Sequence, residues 1–225
     1  MYYKLKGLVL NAKIQGEHDK LITIYSYECG KIYAVAPSAK KITAKLSYAT
    51  EPLTESEFIV FNSDHAVRPK VTGANIIENN TNIKLDFDKM IHALYIAEVS
   101  DKFTPFYLTD INKYNLIVRG LELLRTCKYP KRILIAFVLR FLKLSGYAFS
   151  DYLKYNNNCS IVSKEVQKTI IKLSNCSGDE LDLIKKLEDD RIWNYVESYL
   201  IKYVRRPLLS VFMKKLAHSC YLRTV

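Results

Sequence analysis

The periodicity of the apolar residues changes once along this chain, near residues 78–82. From Tyr3 to about Glu78 the chain is rich in β-branched and aromatic residues that alternate with polar ones, which is typical of strands. After the polar segment "ENNTN" the apolar residues recur at helical spacing. The sequence therefore predicts an α+β protein with a strand domain at residues 1–79 and a helical domain at residues 80–225.

The first part contains about five short strand segments. Four of them are "LKGLVLNAKI", "KLITIYSYE", "KIYAVA" and "SEFIVFN", and the fifth is "HAVRPKVTGANII", which Pro69 interrupts. The turn "ECG" between the second and third segments indicates a hairpin. Five short strands that close on themselves have the size of an OB-fold β-barrel, a fold that binds single-stranded nucleic acids. We therefore expect a five-stranded OB-fold followed by an all-α domain.

The second part contains several amphipathic segments. In "LDFDKMIHALYIAEVSDKF" we expect one buried stripe, formed by Phe87, Met90 or Ile91, Leu94, Ala97, and Glu98 or Asp101. Pro130 and Gly146 are expected to open and close the helix "KRILIAFVLRFLKLSG". Further helices are predicted in "NKYNLIVRGLELLRTC", "KEVQKTIIKLS", "GDELDLIKKLE" and the C-terminal segment, which Pro207 splits in two.

The chain is strongly basic and rich in tyrosine. Its 225 residues carry a formal net charge of +11 and include 17 tyrosines. A charge of this size favours a polyanionic partner, either nucleic acid or an anionic membrane. No segment approaches the ~18 uncharged apolar residues that a membrane span needs. Five cysteines without a C-x-x-C pair are typical of reduced thiols, so we expect a cytoplasmic protein.

The sequence offers no convincing active site. The four histidines lie far apart and show no metal-binding spacing, and there is no glycine-rich phosphate loop. Asp86 and Asp88, like Asp189 and Asp190, are explained more simply as charges at helix starts. We therefore expect a protein that is not an enzyme and needs no cofactor.

Basic and aromatic side chains are instead the candidate functional groups. A basic groove that follows phosphates, with rings on which bases stack, binds single strands with little sequence preference. The first part supplies the predicted DNA-binding set: Lys13, Lys20, Tyr25, Tyr27, Lys31, Tyr33, Lys40, Lys41, Lys45, Arg68 and Lys70. The alternative is that the tyrosines belong to the core and the lysines only solvate the surface.

The helical part carries a second basic set, with possible contacts to DNA or to a partner protein. Charged residues on a helix usually form a solvated face, so each of these residues is a weaker candidate. The set is Arg119, Arg125, Lys128, Lys131, Arg132, Arg140, Lys143, Arg205, Arg206, Lys214 and Lys215.

Three stretches resemble the bacterial RecO family of recombination mediators. "GLVLNAKIQGEHDKLITIYSYECGKIYAVAPSAKK" is similar to the opening of that family, where three strands end in a small, basic loop. "FVLRFLKLSGYAFSDYL" resembles its central helix ending in Gly-Tyr, and "YLIKYVRRPLLSVFMKKL" resembles its C-terminal helices joined through Pro-Leu-x-Ser. Together these stretches span nearly the whole chain.

The resemblance implies a role in DNA repair and homologous recombination. It implies binding of single- and double-stranded DNA, annealing of complementary strands and, with RecR, loading of RecA onto DNA coated by single-strand binding protein. It also implies a nucleoid-associated location and docking of the acidic, apolar C-terminal tail of single-strand binding protein on the helical domain. The alternatives from composition are a binder of RNA or of single strands in general, and an interaction adaptor whose charge serves solubility or an anionic membrane.

The chain departs from the family pattern at two places. Many family members insert a four-cysteine zinc module after Gly-Tyr, whereas here residues 148–163 contain Cys159 alone and Cys176 lies far downstream. Two thiolates do not complete a tetrahedral zinc site, so we predict no metal. In "APSAKK" the family usually has a glycine before the small-basic pair, and Ser38 lacks the access of glycine to positive φ.

Overall fold

The computed structural model describes residues 1–41, 46–63, 67–151, 164–176, 181 and 189–203. The predicted helix "GDELDLIKKLE" (apart from Leu181), the split at Pro207 and Cys159 lie outside these residues. In the described part of the chain, no helix is both long and apolar enough to span a lipid bilayer.

Five strands occupy the first part of the chain. They are β1 (Tyr2–Gln15), β2 (Asp19–Ser26), β3 (Gly30–Ala36), β4 (Glu55–Phe61) and β5 (Lys70–Glu78). Their order is β1-β2-β3-β5-β4, and β4 pairs with β1, so the strands close on themselves. All neighbours are antiparallel except β3 and β5. The predicted five-stranded OB-fold, followed by helices, is confirmed.

The inner side of the strands holds an apolar core. Its members come from every strand because the side chains of a strand alternate between two faces. The buried cluster is Leu5, Val9, Ile22, Ile24, Ile32, Ala34, Ala36, Ala39, Phe58, Val60 and Val71. One irregularity in the pairing of β1 with β2, between Val9 and Asn11, shifts the register and resets which residues of β1 face outward.

The described helices follow the strands. They are α1 (Thr81–Lys84), α2 (Phe87–Phe103), α3 (Ile111–Thr126), α4 (Pro130–Leu144), α5 (Lys164–Asn175) and α6 (Asp189–Ile201). Contacts divide the chain into two compact units. The strand unit comprises Met1–Leu85 and Ser100–Val118, and the helical unit comprises Asp86–Val99 and Arg119–Val225. The strand unit therefore includes residues 80–85 and 100–118 in addition to the predicted domain 1–79.

Helix α4 is the centre of the helical unit. It begins at Pro130, and almost every residue from Arg132 to Leu142 is buried. Gly146, with φ of 82°, closes the helix. The N–H of Gly146 donates to the carbonyl of Lys143, and the N–H of Tyr147 donates to the carbonyl of Leu142, which is the Schellman pattern. Both predicted ends of this helix are confirmed.

The stripe predicted for α2 is wrong in part. Phe87 is 62% exposed and Leu94 is 37% exposed, whereas Tyr95 and Ile96 are buried. The apolar residues of the helix are spread around its circumference, so spacing alone does not identify one buried face. Tyr95 packs edge-on against Trp193 of α6, with ring centres 5.0 Å apart.

Candidate nucleic-acid interface

The outer face of the strands carries the predicted binding residues in register. Lys13 on β1 lies opposite Leu21 on β2, Leu21 lies opposite Val35 on β3, and Val35 pairs with Lys70 on β5. Paired residues share one face of a sheet, so these four residues form a row across four strands. Because neighbouring strands lie roughly 4.8 Å apart, the two ends of the row, Lys13 and Lys70, are about 14 Å apart. Tyr33 lies two residues before Val35 and therefore points to the same side.

One end of this outer face is covered by residues 100–118 of the strand unit. Lys31 is 5% exposed, and its Nζ donates to the backbone oxygen of Asp101 at 2.5 Å and lies 3.2 Å from Oδ1 of that residue. The same Nζ lies 4.3 Å from the centre of the Phe106 ring. Lys31 therefore holds the covering segment to β3, and its ammonium group is not accessible to a phosphate.

Tyr25 is buried under the same segment, with 1% of its surface exposed. Its hydroxyl donates to the carbonyl of Asp110, and its ring stacks beside that of Tyr114. Burial raises the pKa of Tyr25 to about 12. We therefore leave Tyr25 and Lys31 out of the proposed DNA-binding surface, because a base or a phosphate must reach a side chain to bind it.

A close backbone approach fixes the position of the covering segment. Gly30, at the start of β3, has a φ of 68°, and a Cβ added there would lie 2.1 Å from the carbonyl oxygen of Leu108. The N–H of Tyr107 donates to the carbonyl of Lys31 at 2.9 Å. Glycine is required at position 30 both for its φ and for this contact.

The other end of the outer face stays open, and we refer to it as the basic face. Its members are exposed side chains on β1, on β3, in the turn after β3 and at the start of β5. They are Lys13, Tyr33, Lys40, Lys41, Arg68 and Lys70. The five cations among them have no acidic ion-pair partner among the described residues.

The turn after β3 is held against the turn between β1 and β2. The N–H of Ser38 donates to Oδ1 of Asp19 at 2.9 Å, and the N–H of Lys40 donates to the carbonyl of His18 at 3.0 Å. Ser38 has a φ of 56°, so the serine adopts the left-handed conformation in which a glycine would be expected. In this chain the turn after β3 therefore adopts positive φ at residue 38 with a serine in place of a glycine.

Three further candidates in the strand unit are not members of the basic face. Lys20 is half-buried, and its Nζ lies 2.6 Å from Oε1 of Glu51. Tyr27 is 40% exposed and packs edge-on against Tyr114, at the covered end. Lys45 lies outside the described residues.

Three of the basic candidates in the helical unit join helices to one another. The Arg132 guanidinium, which is buried, donates from Nε to both carboxylate oxygens of Asp189 at 3.1 Å. Lys131 pairs with Asp190, and Arg140 donates to the carbonyls of Ser174 and Cys176. Burial lowers the pKa of Arg140 and raises that of Asp189 despite the opposing effect of Arg132. These cations thus hold α5 and α6 against α4.

Other helical candidates are placed as follows. Arg119 is exposed and pairs with Glu122 at 2.7 Å. Arg125 is half-buried, and its carbonyl accepts a hydrogen bond from Nζ of Lys89. Arg205, Arg206, Lys214 and Lys215 lie outside the described residues.

A small pocket lies beside α4 and α5 in the helical unit. Most of its lining residues are apolar, and Lys143 is the cation among them. The lining residues are Leu139, Lys143, Ala148, Phe149, Ser150, Ile170, Ile171, Ser174 and Asn175. No group of three or more His, Cys, Asp or Glu residues in the described part of the chain is arranged to hold a metal ion.

Sequence reasoning did not single out Asp19 or Phe106. Asp19 begins β2 directly after the turn formed by residues 16–18, and an acidic residue beside a turn commonly accepts a backbone N–H, so the sequence carried a weak signal. Phe106 lies outside any periodic segment, and its contact with Lys31 depends on the folding of residues 100–118 onto the strands.

Comparison with known proteins shows two matched domains. The family model "Recombination protein O N terminal" matches residues 1–79, and "Recombination protein O C terminal" matches residues 84–168. The first match contains every residue of the basic face.

Curated proteins named "DNA repair protein RecO" are also similar. The one from Heliobacterium modesticaldum is 30% identical over 146 residues, which cover 64% of this chain and 52% of that protein. The one from Desulforamulus reducens is 28% identical over 172 residues, which cover 76% of this chain and 64% of that protein. The one from Mesoplasma florum is 25% identical over 236 residues, which cover 99% and 86%.

The chain thus spans about half to two thirds of the length of the first two relatives. The two family models match successive parts of the chain, and these parts carry the strands and the first helices. The family resemblance that the sequence motifs predict is confirmed: the chain belongs to the RecO family of recombination proteins.

Proposed function

We propose that this protein is a DNA repair and recombination mediator that binds single- and double-stranded DNA on the basic face and anneals complementary strands. The observation that carries the proposal is the basic face itself, which combines five exposed cations with one partly exposed ring, Tyr33. Lysine and arginine side chains that contact phosphates release counterions, which favours binding without sequence preference.

Annealing is explained by charge without a catalytic group. Two complementary strands repel each other through their phosphates, and a surface that neutralises both lets the bases meet. Tyr33 adds a ring on which an unpaired base stacks, and Arg68 lies over that ring at 5.9 Å. We therefore propose a non-enzymatic protein that works without a cofactor.

We propose RecR and single-strand binding protein as direct partners and RecA as an indirect one. The pocket beside α4 and α5 supports docking of the C-terminal tail of single-strand binding protein, because an acidic, apolar tail requires an apolar surface with a cation beside it. Lys143 and Phe149 offer these two features. We place the protein in the cytoplasm, associated with the nucleoid.

The proposal is tested by an annealing assay with fluorescent complementary oligonucleotides coated by the cognate single-strand binding protein. We expect the protein to accelerate annealing. No acceleration over the uncatalysed rate would contradict the mediator role.

Binding of RNA or of single strands in general is the second candidate function. Tyr33 favours it as much as it favours DNA, because every base offers a flat face for stacking. Competition between DNA and RNA of one sequence separates the two. A preference for RNA would support the second candidate.

A further inference from the structure

We propose that Asp19 is a positioning residue for the DNA-binding lysines Lys40 and Lys41, an inference that rests on the proposed function. Asp19 does not reach the ligand in this proposal. Its carboxylate holds the turn that carries the two lysines, through the hydrogen bond of 2.9 Å from the N–H of Ser38 to Oδ1.

The geometry of the turn explains why such a support is needed. The last pair of β2 and β3 is Lys20 with Ala36, and the chain beyond it turns through Ser38 in the left-handed conformation. That conformation is unfavourable for a serine. Two hydrogen bonds continue the contact past the last pair, from Ser38 to Asp19 and from Lys40 to the carbonyl of His18.

The charge of Asp19 makes the proposal testable. A carboxylate close to a phosphate-binding loop opposes anion binding by repulsion. If Asp19 acted only through its charge, Asp19→Ala and Asp19→Asn would both tighten DNA binding. If it positions the turn, only Asp19→Ala weakens binding, because the asparagine amide oxygen still accepts the N–H of Ser38.

The experiment compares the wild type, Asp19→Ala and Asp19→Asn for binding of a fluorescent oligothymidylate at one fixed salt concentration. We expect Asp19→Ala to lower the affinity by up to about fivefold, as expected for one lost hydrogen bond. Asp19→Asn should bind at least as well as the wild type. Hydrogen exchange at the amides of Ser38 and Lys40 should become faster only in Asp19→Ala.

A second variant, together with a stability measurement, separates loss of the turn from loss of the fold. Ser38→Gly in the Asp19→Ala background should restore affinity, because glycine adopts the left-handed conformation without support. General unfolding is excluded separately, because urea denaturation should show that Asp19→Ala alone is still folded in the binding buffer. Equal affinities of Asp19→Ala and Asp19→Asn would overturn the inference and leave the proposed function intact. A wild type that does not bind the oligonucleotide would overturn both.

Discussion

The guanidinium carbon of Arg68 lies 5.9 Å from the centre of the Tyr33 ring, and the Phe106 ring packs against the same tyrosine with its centre 4.4 Å away. Phe106 belongs to the segment that covers one end of the outer face, so Tyr33 lies where covered and open surface meet. The ring is supported on one side by Phe106 and is 36% exposed. A base stacked on Tyr33 would therefore lie next to the cations of the basic face.

Replacement of this ring should weaken binding of single strands. Stacking of a base on an aromatic side chain contributes about 1–3 kcal/mol, so we expect Tyr33→Ala to lower affinity by about tenfold, as measured by fluorescence anisotropy. Tyr33→Phe should keep the affinity because the ring remains. Tyr27→Ala is the matched control, since Tyr27 is about as exposed as Tyr33 but packs edge-on against Tyr114 and is not a member of the basic face. An equal loss in both alanine variants would contradict a special role for Tyr33.

Reversal of two charges on the basic face should reduce affinity and its dependence on salt. Lys40→Glu with Lys41→Glu removes two phosphate contacts, so the slope of log affinity against log salt should fall by about 1.4, or about 0.7 for each contact. The control is Lys168→Glu with Lys172→Glu, which changes the net charge equally on the exposed side of α5. If both double variants lose affinity equally, net charge rather than the basic face governs binding.

Most of the fold could be predicted from local pattern. The strand alternation, the "ECG" turn and the Pro130 and Gly146 boundaries act within a few residues, so the sequence displays them directly. The buried side of α2 was not predictable in this way. Phe87 and Leu94 fit the helical spacing, but the apolar residues are spread around the helix rather than gathered on one face, and tertiary contacts select which of them are buried.

For the candidate site, the sequence predicts only which side of the strands its residues lie on. Alternation correctly places Lys31, Tyr33 and Tyr25 on the outer side of the strands. It does not reveal that residues 100–118 return to cover Lys31 and Tyr25, because that contact joins residues about seventy positions apart. The same limit applies to Arg132 and Arg140, whose role in joining helices depends on α5 and α6.

The left-handed serine predicts a stabilising substitution. Ser38→Gly should raise the free energy of unfolding by up to about 1 kcal/mol, because glycine avoids the steric cost of positive φ, although the more flexible unfolded chain offsets part of the gain. Urea denaturation measures the change. Ser38→Ala is the control and should not be stabilised, since it keeps the Cβ. A less stable glycine variant would show that the serine side chain supports the turn.

Loss of the Lys31 charge should affect stability rather than binding. Removal of one partner of a buried ion pair costs about 3 kcal/mol or more, and the partial exposure of Asp101 reduces this, so we expect Lys31→Met to lose about 2 kcal/mol in urea denaturation. The folded variant should bind DNA with an unchanged salt slope. If the salt slope instead falls by the amount expected for one phosphate contact, Lys31 contacts the DNA.

Alkaline pH should destabilise the strand unit through Tyr25, one of its buried tyrosines. The ordinary pKa of a tyrosine is 10.0, and burial raises the pKa of Tyr25 to about 12. Between these values the folded protein binds more protons than the unfolded chain, so stability is fully present below pH 10 and is lost as the pH rises toward 12. The loss from this residue should reach about 1.4 kcal/mol per pH unit. Urea denaturation at several pH values measures it, and Tyr25→Phe should reduce the slope. An unchanged slope in that variant would show that the Tyr25 hydroxyl ionises freely in the folded protein.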